Sequence, residues 1–193
     1  VEIILIDSLM TQRYSSLFNL SKKNKYKFYN CDINNLNLND KFINADIIIH
    51  LAAITDATWS LNNKQIVEKN NFLSTKNVAN ACIKNNSKMI LISSTSVYGT
   101  QNKTVDENCS KKELRPQSPY AKTKLKEEAL LKKLAKEKKL NYTILRFGTI
   151  YGVSKGMRFH TVVNKFCWQA SQGEPLSVWK TALNQKRPYL DLN

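Results

Sequence analysis

Lys88-Met89-Ile90-Leu91-Ile92-Ser93-Ser94-Thr95-Ser96-Val97-Tyr98-Gly99 opens with an apolar run too short for a helix and ends in a row of hydroxyls. Its apolar residues are consecutive rather than alternate, the pattern of a strand buried on both faces of a parallel sheet. Runs of the same kind occur at residues 3–6, 47–51 and 142–145. Between them lie segments with helical spacing. Residues 65–84 carry Ile66, Phe72, Leu73, Val78, Ala79 and Cys82, and residues 120–139 carry Ala121, Leu125, Ala129, Leu130 and Leu134. Strands alternating with helices predict βα units and an α/β doubly wound sheet.

Ser118-Pro119 marks the start of the second helix, and the lysines at 132–139 place positive charge near its end. The segment 99–119 before it is polar and irregular. After Gly152 the rhythm breaks at Gly156, the aromatic-rich stretch 159–168 and Gly173-Glu174-Pro175, so we expect a nucleotide-binding domain over 1–152 and the beginning of a substrate-binding region over 153–193. A dinucleotide fold normally opens with a strand and a glycine-rich turn. No glycine precedes Gly99, the chain begins with Val1, and it ends at Asp191-Leu192-Asn193 without a cap signal. The expectation is a fragment that lacks the first strand, the phosphate loop and the first helix, cut again within the substrate-binding part.

The chain has 193 residues, 42% of them hydrophobic, enough to bury a core. It contains no apolar stretch of about 18 residues and no export-signal pattern, so no membrane contact and a cytoplasmic location are expected. Cys31, Cys82, Cys109 and Cys167 are widely spaced and form no CxxC pair, which predicts free, mostly buried thiols. Neither His50 nor His160 has neighbours suited to a metal, and none is expected. The net charge of +15 is spread along the chain, often beside asparagine, as in Lys22-Lys23-Asn24-Lys25. A nucleic-acid surface would concentrate basic and aromatic residues on one element, so none is expected, whereas a phosphorylated substrate would welcome the positive field.

Tyr120 and Lys124 are four apart at the head of a helix, which places them on one face. A phenol with a reference pKa of ~10 is a poor base near neutrality, but a neighbouring ammonium favours its ionised form. The hydroxyls of 93–96 fall at the carboxyl end of a predicted strand, where such folds bind ligands. One of them could hold a substrate oxygen beside Tyr120, or the row could be a turn satisfying its own backbone.

These residues resemble the extended short-chain dehydrogenase/reductases, the NAD-dependent epimerases and dehydratases of nucleotide sugars. The resemblance runs through Ile3-Ile4-Leu5-Ile6-Asp7, Cys31-Asp32-Ile33, His50-Leu51-Ala52-Ala53, Asn71 with Thr75 and the 93–99 run. It continues in Ser118-Pro119-Tyr120-Ala121-Lys122-Thr123-Lys124, Leu145-Arg146-Phe147-Gly148-Thr149-Ile150-Tyr151-Gly152 and Arg187-Pro188-Tyr189-Leu190. It implies Tyr120, Lys124 and Ser94 as catalytic residues, with Thr95 as the neighbour that substitutes if the register differs by one. It implies NAD contacts from Asp7 on the adenosine ribose, Asp32 and Ile33 at the adenine, and Leu51, Ala52, Ala53, Asn71 and Ser93 along the cofactor. Tyr120 and Lys124 would reach its nicotinamide end. Asp7 could equally be a loop acid, and residues 51–53 ordinary core packing.

Substrate contacts are implied for Ser94, Thr95, Thr149 and Arg187, the last as a bidentate grip on a diphosphate or else a surface charge. Thr149 stands where many relatives have asparagine, and Val153 where they have proline. Thr95-Ser96 replaces the Asp-Glu pair of the 4,6-dehydratases, so sugar dehydration is not expected. The expectation is a nucleotide-sugar epimerase working through a transient keto-sugar as a homodimer. A decarboxylase or a carbonyl reductase of the same family is the alternative, and a non-catalytic RNA-binding relative the remote one.

Overall fold

A computed structural model describes residues 1–193 except 57, 58, 102, 160, 179, 181, 182, 185 and 193, so His160 lies outside the described residues. The elements are β1 (Glu2–Asp7), β2 (Lys25–Asn30), α1 (Leu38–Lys41), β3 (Ile47–His50), α2 (Trp59–Asn62), α3 (Lys64–Asn85), β4 (Lys88–Ser94), α4 (Pro119–Lys138), β5 (Tyr142–Phe147), β6 (Thr149–Tyr151), α5 (Val162–Ser171) and β7 (Tyr189–Asp191). Short 3₁₀ turns lie at Tyr14–Leu17, Thr95–Tyr98 and Lys111–Glu113. The chain forms two compact units: residues 4–8 with 27–146, and residues 1–3 with 9–26 and 147–193.

In the first unit β3 runs parallel to β4, with Ile47 opposite Lys88 and His50 opposite Leu91. β4 also pairs with β5, while β1 and β2 form a separate pair. Along β4, Met89, Leu91 and Ser93 are buried and alternate with half-buried neighbours. Val78, Ala79 and Cys82 of α3 and Leu131 and Leu134 of α4 join Met89 and Leu91 in one cluster with Ile33, Leu38, Phe42 and Leu140. The two long helices therefore seal one face of the sheet. Burial on both faces, expected from the consecutive apolar residues, is not found: Ile47 and Ile49 are 55% and 56% exposed. Both project from the face that α3 and α4 leave uncovered, because side chains alternate along a strand.

Helix α4 begins as its sequence dictates. Pro119 occupies the first turn, where its missing N–H costs nothing, and the Ser118 hydroxyl accepts the Ala121 N–H at 3.1 Å. Its C-terminal Lys139 turns left-handed at φ 56°. Helix α3 departs from the expected pattern. Ile66 and Leu73, read as core, are exposed, and the buried stripe includes Asn71, Ser74 and Thr75. These polar residues are buried because each has a partner. Asn71 bonds the Ile54 backbone at both ends of its amide, accepting its N–H at 2.8 Å and donating to its carbonyl at 2.9 Å. Ser74 bonds the Asn34 amide, and Thr75 bonds His50 Nε2 at 3.1 Å. Buried polar groups with partners of this kind avoid the desolvation penalty that makes orphans rare.

In the second unit β6 and β7 pair in parallel, with Thr149 opposite Tyr189. Gly148 permits this approach, since a Cβ there would lie 2.5 Å from the Pro188 carbonyl oxygen. The stretch 159–168, expected to break the regular structure, instead contains most of α5. The buried Asn164 on α5 accepts the Gly152 N–H at 3.2 Å and donates to the Arg158 carbonyl at 2.9 Å. All four cysteines are free, but only Cys82 is buried and Cys167 is exposed, against the expectation of mostly buried thiols. Burial pushes the Cys82 thiol up to about 12. Among the described residues no helix is long and apolar enough to cross a membrane.

Candidate active site

The strand β4 delivers its hydroxyl row to the C-terminal edge of the sheet. Ser93 points into the core, 2% exposed, and donates to Glu128 Oε1 at 2.7 Å. Its hydroxyl, expected along the cofactor, is thus engaged by a carboxylate of α4. Ser94 is half-buried and caps the 3₁₀ turn Thr95–Tyr98, accepting the Ser96 N–H at 3.2 Å and lying 2.9 Å from the Ser96 hydroxyl. Part of the row therefore satisfies its own turn, and Thr95 opens it, half-buried. Gly99 ends the turn at φ 64°, and a Cβ there would sit 2.0 Å from the Arg115 carbonyl oxygen. Gly99→Ala is expected to displace the 100–118 segment, because the methyl clashes with backbone and the φ is strained for any L side chain. A loss of roughly 1–3 kcal/mol in urea unfolding, and faster proteolysis within 100–118, would show it.

Tyr120 stands in the first turn of α4, half-buried, in the helix that packs on the 3₁₀ turn. One turn on, Lys124 is 3% exposed. Its Nζ lies 5.9 Å from the centre of the Tyr120 ring, close enough for a favourable cation–ring interaction, and 2.9 Å from Glu127 Oε2. Glu127 is fully buried. Burial pushes its carboxyl above the ordinary range, and the Lys124 charge and hydrogen bond with the Thr75 hydroxyl offset this only in part. His50, at the end of β3, is held near pKa 3, first by burial and then by the Lys124 charge, so its ring is neutral at physiological pH. Lys124 thus stands at the centre of a buried polar group assembled from β3, α3 and α4.

Beside it lies a second cluster. Arg146 of β5 forks onto Glu128, Nε to Oε1 at 3.0 Å and Nη2 to Oε2 at 2.7 Å, and its Nη1 reaches the Tyr98 hydroxyl at 3.0 Å. A two-point guanidinium–carboxylate fork is among the stronger polar contacts available to a protein. It ties the β4 tip, α4 and β5 together around the hydroxyl row. Burial alone would raise the Glu128 carboxyl, but the bonds from Arg146 and Ser93 and the Arg146 charge outweigh it and hold it below its usual range. Sequence reasoning assigned no role to Glu127, Glu128, Arg146 or Tyr98. The available signal was Glu127-Glu128, three and four residues after Lys124, the spacings that share a helix face.

Asp7 is exposed at the end of β1, where its carbonyl accepts the Cys31 N–H at 3.0 Å. Asp32 Oδ1 accepts the Asn34 N–H at 2.8 Å, a local turn that also aims Asn34 at α3. Ile33 enters the core at 9% exposure, Ala52 packs against that core, Ala53 is half-buried and Leu51 is 67% exposed. Asn71 holds the segment after β3 through Ile54. In the second unit the Thr149 N–H bonds the Pro188 carbonyl at 3.1 Å, which sets Thr149 beside the exposed Arg187.

A parallel sheet with long helices on one face and hydroxyls, a tyrosine and a lysine at its C-terminal edge defines a Rossmann-like α/β protein of the short-chain dehydrogenase type. The chain belongs to the NAD dependent epimerase/dehydratase family, whose model matches residues 4–193. It is 30% identical over 172 residues to an uncharacterized UDP-glucose epimerase, YtcB, of Bacillus subtilis, covering 86% of this chain and 52% of that one. Among solved structures, a UDP-glucuronic acid 4-epimerase from Bacillus cereus in complex with UDP-glucuronic acid and NAD superposes with TM-score 0.84 at 28% identity, over 98% of this chain and 61% of that one. A UDP-N-acetylglucosamine 4-epimerase from Methanobrevibacter ruminantium superposes with TM-score 0.85 at 25% identity, over 97% and 60%. The chain therefore spans between half and two thirds of the length of these relatives. The family is NAD dependent, and of the residues expected near such a cofactor Asp7 is exposed at the end of β1 and the small Ala52 and Ala53 are half-buried just after β3. No glycine-rich turn for the pyrophosphate occurs before Gly99.

Proposed function

We propose that this chain carries the reacting residues of an NAD-dependent nucleotide-sugar epimerase. The observation that carries the reading is the Tyr120–Lys124 pair in the first turns of α4, the helix that packs on the hydroxyl-lined turn at the β4 tip. Tyr120 takes the proton of a sugar hydroxyl and later returns it, while Lys124 supplies the positive charge that favours its phenolate. Ser94 or Thr95 holds the reacting oxygen in line with the phenol. The cofactor, when bound, supplies the hydride acceptor and donor for that carbon, so its redox state is unchanged over a full cycle. Arg187 and Thr149 are assigned to the substrate diphosphate. Thr95-Ser96 in place of an acidic pair argues against water elimination.

The intact protein, incubated with UDP-, GDP- and dTDP-sugars, is expected to yield a product of unchanged mass with an inverted centre by NMR. Loss of carbon dioxide would move the assignment to a decarboxylase, and stoichiometric consumption of added reduced cofactor would move it to a reductase. Inertness toward every nucleotide sugar, together with salt-sensitive RNA binding, would end the enzymatic reading. We further assign a homodimer to this protein, with the exposed Ile66 and Leu73 of α3, two turns apart on one helix face, as its candidate contacts.

A further inference from the structure

The role of Lys124 sets a physical problem that the family resemblance does not address. An ammonium 3% exposed to solvent is costly to bury, and the cost is offset only by a close counter-charge with good geometry. Glu127 supplies that counter-charge. Glu127 Oε2 lies 2.9 Å from Lys124 Nζ, and Glu127 is itself fully buried. Its other oxygen, Oε1, is buried without a well-formed hydrogen bond, so the carboxylate is held mainly through Lys124. Thr75, whose hydroxyl is 3.1 Å from His50 Nε2, faces the carboxylate from α3. The neighbouring Glu128 is occupied elsewhere, by Arg146 and Ser93. Two successive glutamates thus perform different tasks: Glu128 clamps β5 and the β4 tip, and Glu127 is the counter-charge of Lys124.

We propose that Glu127 is a positioning residue for the reaction assigned above: its carboxylate anchors the Lys124 ammonium within reach of the Tyr120 ring and keeps a full positive charge tenable in a buried site. It touches no reacting atom and acts through Lys124. The charged and titratable groups around it are Lys124 and Glu128 on α4 and His50 at the end of β3, with Thr75 as the uncharged partner from α3. His50 is neutral, so Glu127 is the negative charge in contact with this ammonium. As the pH falls and Glu127 takes up a proton, the anchor is released, and turnover acquires an acid limb that belongs to Glu127 and not to Tyr120.

This inference rests on the reading of Tyr120 and Lys124 as the acid–base pair, and the test separates the two. In the intact protein, Glu127→Gln keeps the size and shape of the side chain and removes its charge. Turnover is expected to fall about tenfold or more with the nucleotide-sugar KM within about threefold, and the acid limb of the kcat–pH profile is expected to change position. Glu127→Asp, which keeps the charge, is expected to recover most of the loss. In a Lys124→Met background, Glu127→Gln is expected to have no further effect on kcat, because its partner is gone. That double variant also removes both buried charges, so it serves if the single glutamine variant does not fold. A glutamine variant with unaltered kcat and pH profile would overturn the proposal, as would an equal loss of kcat with and without Lys124. If Tyr120→Phe also left turnover intact, the acid–base reading itself would fall, an outcome distinct from failure at Glu127 alone.

Discussion

Tyr120→Phe in the intact protein is expected to lower turnover by about 10²–10⁴-fold, the range associated with a positioned acid–base group, while NAD stays bound. Phenylalanine keeps the ring that Lys124 Nζ approaches to 5.9 Å and removes only the hydroxyl, so the packing at the head of α4 is conserved. The loss should appear in kcat and kcat/KM together, because the missing interaction is made at the transition state. Tm should move little, since Tyr120 is only half-buried. Rates for each nucleotide sugar, with cofactor content measured in the same preparation, check it. Near-normal turnover with cofactor present would remove Tyr120 from the chemistry.

Glu128→Ala is expected to be the most destabilising change in the site, at about 3–5 kcal/mol, because it strands the Arg146 guanidinium in a largely closed position and frees the Ser93 hydroxyl from its partner. For a chain of this size that corresponds to a fall in Tm on the order of 10 °C. The pH dependence has a definite sign. The Glu128 carboxyl is held below its usual range in the folded state, so its contribution is present above the ordinary carboxylate pKa and is lost as the pH falls through the folded value. His50 adds a loss with the same sign from about pH 6.5 down toward 3, since the unfolded chain binds a proton that the buried ring refuses. Unfolding by urea across this pH range should show stability falling toward acid, with a shallower slope in Glu128→Gln. An unchanged slope in that variant would show that the fork with Arg146 contributes little.

Strands β1, β3, β4 and β5 were legible because four short apolar runs cannot be amphipathic helices, and α4 because Ser118-Pro119 announces a helix start, whereas the more polar or shorter β2, β6 and β7 were not read. What could not be read was which face of each strand would be covered. Ile47 and Ile49 look as buried in sequence as Met89 and Leu91, yet coverage depends on where helices land, which is a tertiary fact. On α3 the apolar pattern misled for a related reason. Asn71, Ser74 and Thr75 take core positions because Ile54, Asn34 and His50 are there to bond them, and a hydropathy pattern carries no information about partners. The helix α5 was missed because Gly156 and Gly173-Glu174-Pro175 on either side of it were read as breaks in the strand and helix rhythm. Tyr120, Lys124 and Ser94 were found by motif, whereas Glu127 and Arg146 required distances. Lys124 was expected at the nicotinamide end of the cofactor, and the motif gave no sign that Glu127 anchors it from within its own helix.

Among the described residues, Lys124 is the one buried lysine in a chain otherwise covered with exposed amines. A brief treatment with an acylating reagent would therefore tag the surface densely and leave this amine bare. Peptide mass mapping of the labelled protein then reports directly on whether Lys124 stays buried, and a tag on it would register local opening before any global unfolding is seen.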